Sequence, residues 1–236
     1  KQSMFIAKEE KTTVSEAVKR IVISSYTNEE IKNLNGLIRD SFKRAGSYSA
    51  RFQLDKPYSP YNQDREHAGA ELIWNNACNY QTLDMRWIAL SLYIPRWSYQ
   101  YAEGAPESLG FNIHDKPLPC GTSSRWTNPM RIGIQNNRWI CVISYDKNDV
   151  QANGGSTIKS IEYDLGPVDL DKWTDWAVNR NWTTADNGFV KVYKNGQLVV
   201  NYTGPNWYGG NFAKVPYIKV GIYKWPWLSS WSTSWG

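Results

Sequence analysis

The chain has 236 residues, 41% of them hydrophobic, and carries 27 Lys+Arg against 22 Asp+Glu, a formal net charge of +5. Such a length fits one large domain or two small ones, and the hydrophobic share supplies a real core, which excludes a disordered chain. No run reaches the ~18–20 consecutive apolar residues of a membrane span, so no membrane partner is expected, and the mean hydropathy of −0.58 agrees.

The basic residues are spread along the chain without a Lys/Arg block, so no nucleic-acid partner is expected either. A modest positive field favours an acidic small molecule or polymer. There are 13 Trp and 15 Tyr against 6 Phe. A flat apolar face with a polar edge suits stacking on sugar rings, although many such residues belong to cores. Cys78, Cys120 and Cys141 show no zinc-site spacing and fit either one bridge plus a free thiol or three buried thiols. Because the sequence starts at Lys1 and not Met, a mature or trimmed form is an expectation. The sequons at Asn181 and Asn201 would matter in a eukaryotic secretory context.

In chain order, Thr27-Asn28-Glu29-Glu30 fits a capping box. Ile31, Leu34, Ile38 and Phe42 follow at helical spacing, with Gly46 as a stop, so a short N-terminal helix is predicted despite Asn35-Gly36. From Ser47 the period becomes two. Strands are predicted at Ser49–Leu54, Arg86–Ile94, Leu109–His114, Met130–Gln135, Arg138–Tyr145 and Tyr217–Lys224. Phe189–Lys194, Asn195-Gly196 and Gln197–Tyr202 predict a hairpin with a type I′ turn, because both turn residues must take positive φ. The whole reads as an all-β, jelly-roll sandwich (concanavalin A-like), a single domain over 1–236. Residues 1–45 are expected to be a partly helical extension and 46–236 the sandwich.

Period two also assigns faces. Opposite the apolar set, Asn112 and His114 share a face on one strand, Arg131 and Gln135 on another, and Tyr217, Lys219, Gly221 and Tyr223 on a third. Each alone is an ordinary solvated sheet face. Together in one sheet they would line a cleft for an extended polymer. Gly221, between Lys219 and Tyr223, removes a side chain from its floor, and a strand-interior glycine often marks a close approach.

At these residues the chain resembles a known group. Tyr217-Ile218-Lys219-Val220-Gly221-Ile222-Tyr223 is similar to the Y-F-K-x-G-x-Y strand of alginate lyases, and Asn112-Ile113-His114 to their Q-I-H strand. Arg65-Glu66-His67-Ala68-Gly69-Ala70-Glu71-Leu72 sits where they carry R-x-E-L. The wider pattern over roughly 46–227 resembles the heparin-lyase-I and glucuronan-lyase group more closely. Asn112 stands where the family has Gln, and Gly69 and Ile73 where it has Arg.

The resemblance implies a polysaccharide lyase, secreted or extracellular and monomeric. Its expected substrate is an acidic polysaccharide with 4-linked uronic acids, of glucuronic-acid type in preference to alginate. The reaction is β-elimination. The C5 proton is removable once donors neutralise the C6 carboxylate, where charge develops. Asn112 with Arg65 or Arg131 fits that task. Where the C5 proton and O4 leave from opposite sides, His114 fits the base and Tyr223 the acid at the leaving O4; where they leave from the same side, as in D-glucuronate, one Tyr fits both roles with His114 polarising or positioning. Arg65, His67, Arg131, Gln135, Tyr217 and Lys219 are expected to bind substrate. No metal is required, although Asp146-Lys147-Asn148-Asp149 offers oxygens suited to a structural calcium. Two other readings compete. A carbohydrate-binding module or lectin of the same fold would keep the aromatic platforms without a proton-transfer pair. A glycoside hydrolase would need two carboxylates, for which Glu66 and Glu71 are the nearby candidates.

Overall fold

The alternating segments form strands in the computed structural model, which describes residues 2–7, 37–40, 42–45, 49–54, 63–64, 67–74, 87–96, 107–114, 128–210 and 217–224. In chain order these are β1 (Gln2–Ala7), β2 (Leu37–Asp40), β3 (Ser49–Leu54), β4 (Gln63–Asp64), β5 (His67–Trp74), β6 (Trp87–Tyr93), β7 (Glu107–His114) and β8 (Met130–Gln135). There follow β9 (Arg138–Asp149), β10 (Lys159–Pro167), β11 (Trp173–Asn181), β12 (Phe189–Lys194), β13 (Gln197–Thr203), β14 (Tyr208–Gly209) and β15 (Tyr217–Lys224). One sheet has the order β13-β12-β11-β6-β1-β3-β2 and the other β10-β9-β8-β7-β15-β5-β4, with β14 alongside β9. Within both of these orders neighbours run antiparallel. The last strand, β15, is inserted between β7 and β5, so the chain's end completes the middle of the sheet.

The two sheets pack face to face as a β-sandwich of jelly-roll type. Phe111, Ile113, Ile132, Trp139, Ile218 and Ile222 line the inner face of one; Phe52, Leu92, Trp176, Val178 and Val192 that of the other. Trp139 and Trp176 meet edge to face, with centroids 5.2 Å apart. Each fully buried large apolar side chain contributes about 1.5–3 kcal/mol. Cys141 belongs to this core as a free thiol, which burial pushes up to about 12. Cys78 and Cys120 lie outside the described residues.

The hairpin turn is of the expected kind, with Asn195 at φ 51° and Gly196 at φ 80°. The N-terminal expectation is corrected. Where the helix was predicted, Leu37 to Asp40 pair antiparallel with Phe52 to Ser49. The edge of β3 offers a ladder to an apolar pair, Leu37 and Ile38, and Asn35-Gly36 just before it favours a turn over a continuing helix. Residues 27–36 lie outside the described residues. Residues 1–45 are also more than an extension, because β1 sits between β6 and β3 inside the sheet.

Candidate active site

Register fixes which residues stand side by side on the outer face of the eight-stranded sheet. On β15 and β7, Tyr217 is opposite His114, Lys219 opposite Asn112, Gly221 opposite Gly110, and Tyr223 opposite Ser108. On the other flank of β15, Lys219 is opposite Ile73, Gly221 opposite Glu71, and Tyr223 opposite Gly69. Asn112 continues to Arg131 on β8, Arg131 to Val142 on β9, and Val142 to Glu162 on β10. One transverse row therefore runs Lys219, Asn112, Arg131, Val142, Glu162. The sequence predicted one shared face for Asn112, Arg131, Lys219 and the two tyrosines, and strand parity places them there.

Between the Lys219–Asn112 row and the Tyr223–Ser108 row lies a pair of glycines. At Gly110 a Cβ would collide with the Ile132 carbonyl oxygen, because β8 closes on β7 at a register shift. Gly221 takes φ +151°, a conformation L side chains rarely adopt. Gly69, opposite Tyr223, extends the side-chain-free area onto β5. The glycines were each visible in the sequence, but their coincidence was not. It depends on the pairing of strands about a hundred residues apart.

The polar row is enclosed. Asn112 is 5% exposed. Its Oδ1 is buried without a hydrogen-bond partner among the described residues. Burial, and then the Lys219 ammonium, push the His114 imidazole down from its ordinary value to about 3. His114 is therefore neutral at working pH and a weak base. Burial also lowers Arg131, against the opposing pull of Glu162 and then Cys141.

His114 and Tyr223 share parity, but the register separates them. Tyr223 is opposite Ser108, six positions from His114. At about 3.3 Å per residue that is about 20 Å along the sheet. The expected division of labour, His114 as base and Tyr223 as acid on one linkage, does not fit this spacing. On β5, His67 stands two residues before Gly69, the residue opposite Tyr223. Gln135 pairs with Arg138 at the β8–β9 hairpin, away from the glycine pair. Arg65 and Glu66 lie outside the described residues.

The Asp146–Asp149 oxygens are engaged within the chain. Asp146 accepts from the Asn148 amide at 2.9 Å, from Thr157 Oγ1 at 2.7 Å and from Asn153 Nδ2 at 3.2 Å. Burial pushes its carboxyl up, and these bonds outweigh it, so it lies below its ordinary value. Asp149 caps the turn through the Gln151 and Ala152 amides. This is an Asx-type turn, and no cluster of three or more His, Cys, Asp or Glu among the described residues is disposed to hold a metal.

The outer face of this jelly-roll sheet brings the positions of Asn112, Arg131, Lys219 and Tyr223 to the borders of the Gly110–Gly221 pair. The family model described as Polysaccharide lyase matches residues 23–235, and the chain belongs to that family. It is accordingly a lyase acting on polysaccharide. Among solved structures, it is similar to the endo-beta-1,4-glucuronan lyase from the fungus Trichoderma reesei, at TM-score 0.60 and 18% identity over 80% of this chain and 75% of that one. The alginate lyase AlyC3 superposes at TM-score 0.36 and 18% identity over 50% of this chain and 48% of that one. No curated protein matches the chain.

Proposed function

We propose that the chain cleaves a 4-linked uronic-acid polysaccharide by β-elimination, with a glucuronic-acid-type polymer as substrate. The observation that carries the reading is the Gly110–Gly221 pair. It leaves a floor without side chains, bordered on one side by Lys219 and Asn112 and on the other by Tyr223. Along a strand each border is about 6.6 Å from the glycine, within the reach of a Lys or Tyr side chain. A sugar ring seated over the glycines would have cation and amide donors at its carboxylate. The buried Asn112 oxygen, which lacks a partner among the described residues, would accept a sugar hydroxyl.

In this reading Lys219, Arg131 and Asn112 neutralise the C6 carboxylate, so that charge developing on it is stabilised. In D-glucuronate the C5 proton and O4 lie on the same side of the ring. Tyr223 as phenolate takes the C5 proton, the C5–H electron pair forms the C4=C5 double bond, the C4–O4 bond breaks, and the proton passes from Tyr223 to O4. His114 is reassigned to a neutral, half-buried support of the Asn112 row. The preference for glucuronate rests on the glucuronan- and heparin-lyase-like motifs and on the glucuronan lyase among similar folds. The enzyme is proposed to be secreted, monomeric and without need of a metal, since side chains supply the counter-charge.

The test is a panel of uronic-acid polymers read by the ultraviolet absorbance of the unsaturated product, with Tyr223→Phe and Tyr217→Phe side by side. Loss of a proton-transfer group lowers turnover by about 10²–10⁴-fold. Tyr223→Phe is expected to show that loss, and Tyr217→Phe near-normal turnover. The reverse result would move the chemistry to the His114–Tyr217 row. Polymer binding without any unsaturated product, from the wild type across the panel, would return the chain to the binding-module reading.

A further inference from the structure

The outer face of the other sheet carries a second transverse row. Trp87 on β6 is opposite Asn179 on β11, Asn179 opposite Lys191 on β12, and Lys191 opposite Asn201 on β13. The row therefore reads aromatic, amide, cation, amide across four adjacent strands, about 14 Å at the usual strand spacing. Trp87 is 57% exposed, whereas Trp139, Trp176 and Trp207 are buried. Tyr193 leans on it, with ring centroids 6.0 Å apart and planes at 30°. Between them β11 presents only Ala177, itself opposite Ala89 and Tyr193. The small residues keep the ground low beside the rings. Asn201 is exposed as well. The carboxylate nearest on β11, Asp175, is held by Arg44 and Ser91.

We propose that this row is a second binding surface for an anionic polysaccharide, on the sheet opposite the active site. The proposal rests on the substrate class inferred above. Stacking on Trp87 supplies apolar contact for a sugar ring. Lys191 meets a uronate carboxylate, and Asn179 and Asn201 meet hydroxyls on either side of it. The chemistry fits a sugar acid better than a second copy of the chain. A stable protein interface needs a contiguous apolar centre of larger area. Here the apolar part is Trp87, Tyr193 and Leu198, interleaved with amides and a lysine. A surface remote from the active site would hold the enzyme on a long polymer and raise the local concentration of cleavable linkages.

The experiment is affinity electrophoresis in the cold with polyglucuronate or a neutral β-1,4-glucan in the gel, using Tyr223→Phe as the common background to slow cleavage. Adding Trp87→Ala or Lys191→Ala is expected to weaken the apparent Kd for polyglucuronate by about tenfold. Trp87→Phe should restore most of the loss, the Lys191 effect should shrink with added salt, and the neutral glucan should be held weakly throughout. Asn201→Ala, at an exposed position, provides a third variant should Trp87→Ala disturb folding by circular dichroism. Retention that ignores all three changes overturns the proposal. So does sedimentation showing a dimer that Trp87→Ala dissociates, which would give the face to a second copy. Failure of the lyase reading is separate: it would be absence of unsaturated product from the wild type, and retention could still depend on Trp87.

Discussion

His114 is half-buried beside Lys219, and the two effects that lower its basicity act together. Burial penalises the imidazolium, and the neighbouring ammonium repels it. The sign of the consequence for stability follows directly. With a folded value of about 3 against an ordinary 6.5, the unfolded chain binds the proton first. Unfolding is therefore favoured as pH falls from about 6.5 toward 3, by at most about 1.4 kcal/mol per pH unit from this one group. His114→Gln should flatten that part of the profile and leave the region above pH 7 little changed. Urea unfolding at closely spaced pH values checks this, and an unchanged slope in the variant would place the acid sensitivity elsewhere. The sequence identified His114 and its parity. It did not reveal the burial, which the strand's own alternation does not encode.

At the scale of elements, β7, β8 and β15 are joined so tightly around Gly110 that a methyl group there has no space. Its Cβ would meet the Ile132 carbonyl, and backbone cannot swing aside as a flexible side chain can. Gly110→Ala is expected to destabilise by about 1–3 kcal/mol, the usual range for overpacking. It should also depress turnover beyond the loss of folded protein, since the floor between Lys219 and Tyr223 would be displaced. Denaturant midpoints together with turnover per folded molecule test both parts. A stability loss with unchanged turnover would mean that the glycine serves only the strand pairing. The alternation in each strand was legible because a period of two needs only local sequence. Leu37–Asp40 was misread because apolar residues at helical spacing can also serve an edge strand, and the deciding partner, β3, was not local.

For the whole molecule, the seam between the sheets is the principal source of stability, and Trp139 against Trp176 is its largest ring contact among the buried side chains. Trp139→Ala should cost about 3–5 kcal/mol, from lost burial and the cavity left behind. Chemical denaturation should show a lower midpoint, with cooperativity kept. A cost under about 1 kcal/mol would mean that the two sheets are held mainly elsewhere. Because β15 completes the middle of one sheet, its Ile218 and Ile222 contribute to this seam.

Composition and periodicity alone were enough for the all-β sandwich, for the Asn195-Gly196 hairpin and for the sets of residues that share a face. These properties arise from neighbours in sequence: side chains alternate, and a type I′ turn needs two residues tolerant of positive φ. Motif likeness carried the family. Only the tertiary structure decided that Gly221 faces Gly110, that Tyr223 stands about 20 Å along the sheet from His114 rather than beside it, and that Trp87, Asn179, Lys191 and Asn201 form one row. Parity is a local property, whereas register is set by which strands pair and at what offset. A shift of two residues keeps every side chain on its face while moving its partners by about 6.6 Å, so alternation cannot reveal it.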